Sequence, residues 1–235
     1  LGDSLIIGED ISYVYPDNTL GFSTTTIKIE RGERIALLGP NGSGKSTLML
    51  VLSGLLKPTT GKVLFNGRDI SEILDDVRSR IGFVFQDPDV FLFNPTVRDE
   101  LSYSLRQLNL SMNEIEKRVD EYASVFELKN MLEKPPFRLS GGEKKRVEIA
   151  SVLIYNPEIL FLDEPTSNVD GKTKRTIVKI LKGFDGTLIV STHDLSLADE
   201  IAERVVVMGL EKRVVYDGKK SILADSEFLE EVGII

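Results

Sequence analysis

The sequence predicts an α/β domain built around a mostly parallel β-sheet and carrying a helical insertion. Three observations point there. The runs IALLG at 35–39, ILFLD at 159–163 and TLIVST at 187–192 are almost wholly apolar, as strands buried on both faces are. A glycine-rich loop follows the first of them directly. Between the first and second lies a stretch, 96–134, that is rich in helix formers and carries helix-start signals.

Taken in order, residues 6–39 contain ISYVY and TIKIE, set apart by PDN and RGE turns, which read as strands leading to IALLG. Residues 45–56 place Leu48, Leu52 and Leu55 at helical spacing, with Pro58 as the expected stop. After Gly61, KVLFNGRDI reads as a strand closed by an Asn-Gly turn, and RIGFVFQ as another that ends at Gln86. Thr96 with Asp99, and Ser111 with Glu114, have the spacing of helix starts, and Pro135-Pro136 ends the insertion. Ser140 with Glu143 then opens a helix whose Val147, Ala150 and Ile154 face the core, stopped by Asn156-Pro157. ILFLD and TLIVST flank a helix near 171–182. VVVM and VVYDG give further strands, and a short acidic helix closes the chain.

With 235 residues, 41% hydrophobic and 28% charged, the chain can bury one substantial core without staples. A net charge of −8 argues against a general nucleic-acid surface, which needs excess Lys and Arg. The absence of Cys removes disulfides and thiolate chemistry, and a single His removes multi-histidine metal sites. No apolar run reaches the roughly 20 residues of a membrane span. The opening LGDSLIIGED lacks the basic and apolar regions of a secretion signal, and because it starts at Leu1 rather than Met, little is read into residues before Ile6.

Three segments carry chemistry. GPNGSGKS at 39–46, followed by Thr47, matches GxxxxGK[ST] in the required strand, loop, helix setting. Its glycines let backbone N–H groups turn inward on phosphate oxygens at a positive helix end. Asn41, Gly42, Ser43 and Gly44 form that loop, Lys45 can reach the β- and γ-phosphates, and Ser46 can ligate Mg2+. Asp163 and Glu164 emerge together at the end of ILFLD, where open α/β sheets hold ligands. Alone, such a pair is more often a solvated turn; beside the loop, Asp163 becomes a candidate to hold Mg2+ and Glu164 to polarise an attacking water. LSGGE at 139–143 starts a helix with a capping box, yet capping does not ask for Gly141-Gly142, which expose helix N-terminal amides to an anion.

In this order the three motifs resemble the ABC ATPase family over about residues 6–218, with LSGGE similar to its signature sequence. The resemblance implies a P-loop NTPase fold of the ABC ATPase type: a RecA-like parallel-sheet core, an N-terminal antiparallel β subdomain and a helical subdomain insertion. It implies one ABC ATP-binding domain over 1–235, with 6–86 and 157–218 forming the core and β subdomain, 87–156 the helical subdomain with the signature helix, and 219–235 a short tail.

The family pattern matches further residues. Tyr15 resembles the aromatic that stacks on adenine, with Tyr13 the competing candidate; Gln86 resembles the Q-loop glutamine, touching Mg2+ and the attacking water; Asp170 in SNVD resembles the D-loop aspartate; His193 resembles the switch histidine that donates to the γ-phosphate. Glu143 stands where Gln is commoner, and SNVD where SALD is frequent, and both keep the chemistry available.

The resemblance implies ATP and Mg2+, and a head-to-tail pair of identical or homologous ATPase subunits in which Ser140 and Gly142 of one close over ATP held by Lys45 of the other. Residues 83–101, FVFQDPDVFLFNPTVRDEL, resemble the matching segment of energy-coupling-factor and cobalt- or nickel-type importers. That implies a transmembrane coupling protein, a membrane substrate-capture protein, uptake of vitamins or transition-metal ions, and a peripheral place on the cytoplasmic face of the cell membrane. No nucleic-acid partner is expected. The alternative is a soluble, non-transport ABC ATPase acting on ribosomes or DNA; such proteins carry two cassettes or a long coiled coil, whereas this sequence shows one cassette and no coil.

Overall fold

The computed structural model describes residues 4–235; residues 1–3, where the expected single domain begins, lie outside the described residues. ISYV and TIKIE are parts of two longer strands, β1 (Ser4–Val14) and β2 (Leu20–Glu30), with Tyr15 just past the end of β1; they are joined where Asp17 accepts from the Thr19 N–H (2.9 Å) and Asn18 takes a left-handed φ of 65°. Next come β3 (Arg34–Leu38) and the helix α1 (Lys45–Leu52). After them lie β4 (Thr60–Phe65), β5 (Arg68–Asp69), a one-turn α2 (Leu74–Val77) and β6 (Ile81–Val84). β1, β2, β4 and β5 make an antiparallel sheet in the order β2-β1-β4-β5.

The helices α3 (Val97–Gln107), α4 (Met112–Val125) and α5 (Gly141–Leu153) follow. Each starts where a side chain caps it. Thr96 accepts from the Asp99 N–H, and Ser111 and Ser140 form full capping boxes with Glu114 and Glu143. The chain then runs through β7 (Ile159–Asp163), α6 (Gly171–Lys182), β8 (Thr187–Ser191), α7 (Leu195–Ile201), β9 (Arg204–Met208), β10 (Val214–Lys219) and α8 (Ser226–Glu231).

The second sheet has the order β10-β9-β3-β8-β7-β6, parallel throughout except for β10 at its edge. Its apolar runs are explained by two-sided burial. Along β7, Leu160 and Leu162 enter the core shared with α3, α4, α5 and α6, while Ile159 and Phe161 enter the core shared with α1 and the antiparallel sheet. β8 alternates in the same way, with Leu188 and Val190 on one side and Ile189 on the other. Because β3, β7 and β8 are parallel neighbours or one strand apart, their C-terminal ends, and so the loops after Leu38, Asp163 and Ser191, emerge on one edge.

Three expectations are corrected. α1 ends at Leu52 rather than Leu56, because Gly54 adopts a left-handed φ of 77° and terminates it well before Pro58. β6 ends at Val84 rather than Gln86, because the Phe85 N–H bonds to the Glu148 carboxylate (2.7 Å) and leaves the ladder. The short helices α2 and α7 fall in stretches from which no helix is expected.

Candidate functional site

A cleft of about 760 Å³ opens on the sheet edge where the three loops meet. Tyr15, Asn41, Gly42, Gly44, Lys45, Ser46, Thr47, Gln86, Asp163, Glu164 and His193 all line it. Ser43 lies beneath, fully buried, with a hydroxyl that has no hydrogen-bond partner. Residues 100 positions and more apart in sequence, from the glycine-rich loop and from the acidic strand end, are therefore brought together.

The loop after β3 is shaped by close backbone approach. Gly44 has φ 98°, and a Cβ there would stand 2.4 Å from the Gly21 carbonyl oxygen of the antiparallel sheet, so only glycine fits. Gly44 is also the N-cap of α1 and gives it no side-chain cap. The first N–H groups of α1 thus face the cleft without an internal acceptor, which is the chemistry an anion needs. Lys45 curls over this loop, donating to Gly39 O (2.8 Å) and Pro40 O (3.1 Å). Burial pushes its pKa below the ordinary lysine value, while Glu164 and Asp163 pull the other way.

The acidic pair is held by β8. Ser191 donates its hydroxyl to Asp163 Oδ1, and the Glu164 N–H reaches both Ser191 O (3.1 Å) and Ser191 Oγ (3.2 Å). Those bonds fix Glu164 at φ 46°, a backbone region that a non-glycine residue enters at some cost and that recurs at functional sites. His193 Nδ1 stands 2.9 Å from Glu164 Oε2; its side chain is 67% exposed against 8% for Glu164, so the imidazole is the partner free to turn. Ser191 is a positioning residue that sequence reading missed, although a serine closing the apolar run TLIVS beside ILFLD is a usable signal.

Tyr15 and Tyr13 separate. Tyr15 lines the cleft with its hydroxyl 2.8 Å from Thr47 Oγ1, whereas Tyr13 packs edge-on against it (4.9 Å, 85°) and into the core. Leu20, Lys212 and Ile234 also line the cleft on that side, and none of them carries a motif to announce it.

Ser140 and Gly142 are not brought to this cleft. They sit at the start of α5 beside the α6 N-terminus, where Ser140, Glu143, Asp170 and Thr173 share a recess of about 230 Å³. Ser140 donates its hydroxyl to Glu143 Oε2 (2.9 Å), and its own N–H donates to the same oxygen (2.8 Å). Glu143 is held below the usual carboxylate range, first by that backbone N–H. Asp170 caps α6 through Thr173 and Lys172, and these bonds, the Thr173 hydroxyl first, lower its pKa to about 2. Gly142 has an internal reason to be glycine: a Cβ would meet Thr173 Oγ1 at 3.1 Å and Asp170 Oδ2 at 3.4 Å. Gly141 has none, since a Cβ there meets nothing within 4 Å.

The donor set fits a hard cation shared with an anionic ligand. Ser46, Gln86 and Asp163 offer hydroxyl, amide and carboxylate oxygens around one cleft. Among the described residues no cluster of three or more Asp, Glu or His side chains could hold a metal alone. The remaining ligands would have to be phosphate oxygens and water, the usual surroundings of Mg2+.

Comparison with known proteins gives the family and the fold. The family model described as ABC transporter matches residues 22–167. A putative ABC transporter ATP-binding protein of Archaeoglobus fulgidus is 54% identical over the full length of both chains. The energy-coupling factor transporter ATP-binding protein EcfA of Methanococcus maripaludis is 41% identical, over 96% of this chain and 83% of that protein. Among solved structures, cbiO1 of Clostridium perfringens, described as part of the ABC transporter complex cbiONQ, superposes with a TM-score of 0.81 at 37% identity, covering 99% of this chain and 95% of that one. The ATP-binding cassette MJ0796, described as a dimer in a post-hydrolysis state bound to ADP and Pi, superposes with a TM-score of 0.83 at 30% identity, over 92% and 98%.

Proposed function

Since the chain belongs to the ABC transporter family of ATP-binding, ATP-hydrolysing subunits, we propose that it powers uptake through an energy-coupling-factor type importer of vitamins or transition-metal ions. The observation that carries the transport reading is an apolar groove of about 630 Å³ between the sheet core and the helical layer, lined by Phe83, Phe85, Phe91, Phe93, Tyr103 and Leu108. Phe93 is 66% exposed there, which costs the isolated chain solvation and suits a docked coupling helix of a membrane partner. Similarity to EcfA and to cbiO1 supports the choice of branch. Among the described residues no helix is long and apolar enough to cross a membrane, so on this reading the chain is a peripheral subunit at the cytoplasmic face. Residues 87–156 act as the helical subdomain that carries motion between that groove and the core of 6–86 and 157–218, with 219–235 as a short tail.

In the proposed reaction, ATP lies along the α1 N-terminus with its base against Tyr15. The amides of residues 41–47 and one remaining Lys45 proton bind the β- and γ-phosphates. Mg2+ bound by Ser46, Gln86 and, through water, Asp163 would neutralise charge on the phosphoryl oxygens. Glu164 polarises the attacking water, and its strained backbone fixes the carboxylate without help from the nucleotide. His193 orients that carboxylate and donates to the γ-phosphate. Ser140 and Gly142 reach ATP only from a second subunit, because on their own chain neither lines the cleft and Ser140 opens onto a different recess. Loss of the γ-phosphate then removes the contacts that hold two subunits together.

Isolation of the intact complex from native membranes, followed by mass spectrometry of its components, tests the reading. Co-purification of a transmembrane coupling protein and a small membrane substrate-capture protein is the expected result. Ribosomal proteins or nucleic acid in their place would overturn it.

A further inference from the structure

We propose that the buried pair Lys145–Glu148 of α5 is a positioning device for Gln86, tying the helix that begins at Ser140 to the cleft by hydrogen bonds rather than by packing. The inference rests on the reading of Gln86 as a residue of the reaction site.

Both side chains are nearly solvent-free, at 2% and 0% exposure, and lie 2.9 Å apart on successive turns. A buried ion pair rarely stabilises a fold more than apolar residues of the same size would, so stability alone is a poor account of it. Its bonds point elsewhere. Lys145 has three ammonium protons, and they go to Glu148 Oε2 (2.9 Å), Phe85 O (2.5 Å) and Gln86 O (3.0 Å). The other Glu148 oxygen accepts the Phe85 N–H at 2.7 Å. Three of the four backbone polar groups of Phe85 and Gln86 are thus captured by α5, at the point where the chain leaves β6.

From this anchored backbone the Gln86 side chain enters the cleft that Ser46 and Asp163 also line. The same α5 carries Ser140 as its N-cap and Gly142 in its first turn. A shift of α5 against the sheet therefore moves the Gln86 backbone directly, since charge-assisted bonds in a dry setting do not slip as apolar contacts can. Lys145 and Glu148 touch neither nucleotide nor metal in this scheme and act only through Gln86.

The test uses the full-length chain in the complex with which it purifies. K145M/E148L keeps the volume and leaves no lone buried charge. The expected result is an unfolding temperature lower by a few degrees, because the Phe85 N–H and the Phe85 and Gln86 carbonyls lose their partners, a kcat lower by about ten- to a hundredfold, and a KM for MgATP within about twofold. In a Gln86→Ala background the same double substitution is expected to cost nothing more. K145Q/E148Q, whose amides can rebuild part of the network, is expected to recover much of the lost kcat. An unchanged kcat in K145M/E148L, or an equal loss with and without Gln86, overturns the proposal. Should K145M/E148L not fold, amide exchange in the parent decides: Phe85 is expected to exchange as slowly as Phe83 inside β6, and exchange as fast as that of Asp89 overturns the proposal. Gln86→Ala turning over like the parent would instead overturn the assignment of Gln86 itself, before the pair is considered.

Discussion

The cleft around Lys45 and the recess around Ser140 are both helix N-termini, and they are finished in opposite ways. At α1 the cap is Gly44, with no side chain to offer, so the N–H groups are left for a ligand and the charged neighbours Lys45, Asp163 and Glu164 are buried around them. At α5 the cap is a complete box, with Ser140 and Glu143 satisfying each other, and the surroundings are exposed. One end is prepared to hold an anion on its own; the other is already stable without one and can only add to a site completed from outside. That difference is what a site shared between two subunits requires, and it predicts that substitutions at the two ends fail in different measurements.

The largest effect is expected inside the cleft. Glu164→Gln keeps the size of the side chain and its bond to His193 but removes the carboxylate proposed as the base, so phosphate release should fall by about 10²–10⁴-fold. ATP should stay bound and hold two subunits together, visible as an ATP-dependent dimer in size-exclusion chromatography. Parent-like hydrolysis would remove Glu164 from the reaction and with it the reason for its φ of 46°. Next, Lys45→Ala should weaken ATP binding by calorimetry by about 2–5 kcal/mol, the cost of taking one partner from a buried charge contact. Because that loss belongs to the cleft of a single chain, it should appear at dilutions at which no dimer forms.

Ser140→Ala should show the reverse pattern. Loss of the cap costs about 1 kcal/mol of stability, and ATP affinity at high dilution should be unchanged. ATP-driven dimer formation and kcat should drop together. An equal loss of affinity at every dilution would mean that α5 reaches its own cleft, which would erase the distinction between the two ends.

The two ends also differ in how much of them could be read from sequence. The loop at 39–46 and the acids after ILFLD were legible because local pattern dictates them: a two-sided buried strand must be apolar, and a phosphate loop must have glycine where its backbone turns to a left-handed φ, 98° at Gly44. The capping boxes at Ser111 and Ser140 were legible for the same reason, being contained within four residues. What escaped was set by distant partners. The end of β6 depends on Glu148, 63 residues away, and the posture of Glu164 on Ser191, 27 residues away. The glycine at 142 has a second explanation, contact with Thr173 and Asp170, that no local pattern contains.

The smallest effect is the sharpest probe of the open end. Glu143 places a negative charge in the first turn of α5, where it stabilises the helix but would also oppose an incoming polyphosphate. Glu143→Gln keeps the capping box, since a glutamine oxygen can accept from the Ser140 N–H, and removes only the charge. The helix should lose about 0.3–1 kcal/mol, while ATP-driven dimerisation in a Glu164→Gln background should tighten by about two- to fivefold, the same energy with the opposite sign. Sedimentation at several salt concentrations would show the gain shrinking as screening rises. Mild acid cannot substitute for the mutation: the Ser140 N–H holds the Glu143 pKa below its unfolded value, so its contribution to stability is present above the unfolded value and is lost only as pH falls through the lower, folded one. If dimerisation is indifferent to Glu143→Gln at low salt, no polyphosphate approaches this helix end, and the two N-termini differ in finish without sharing a site.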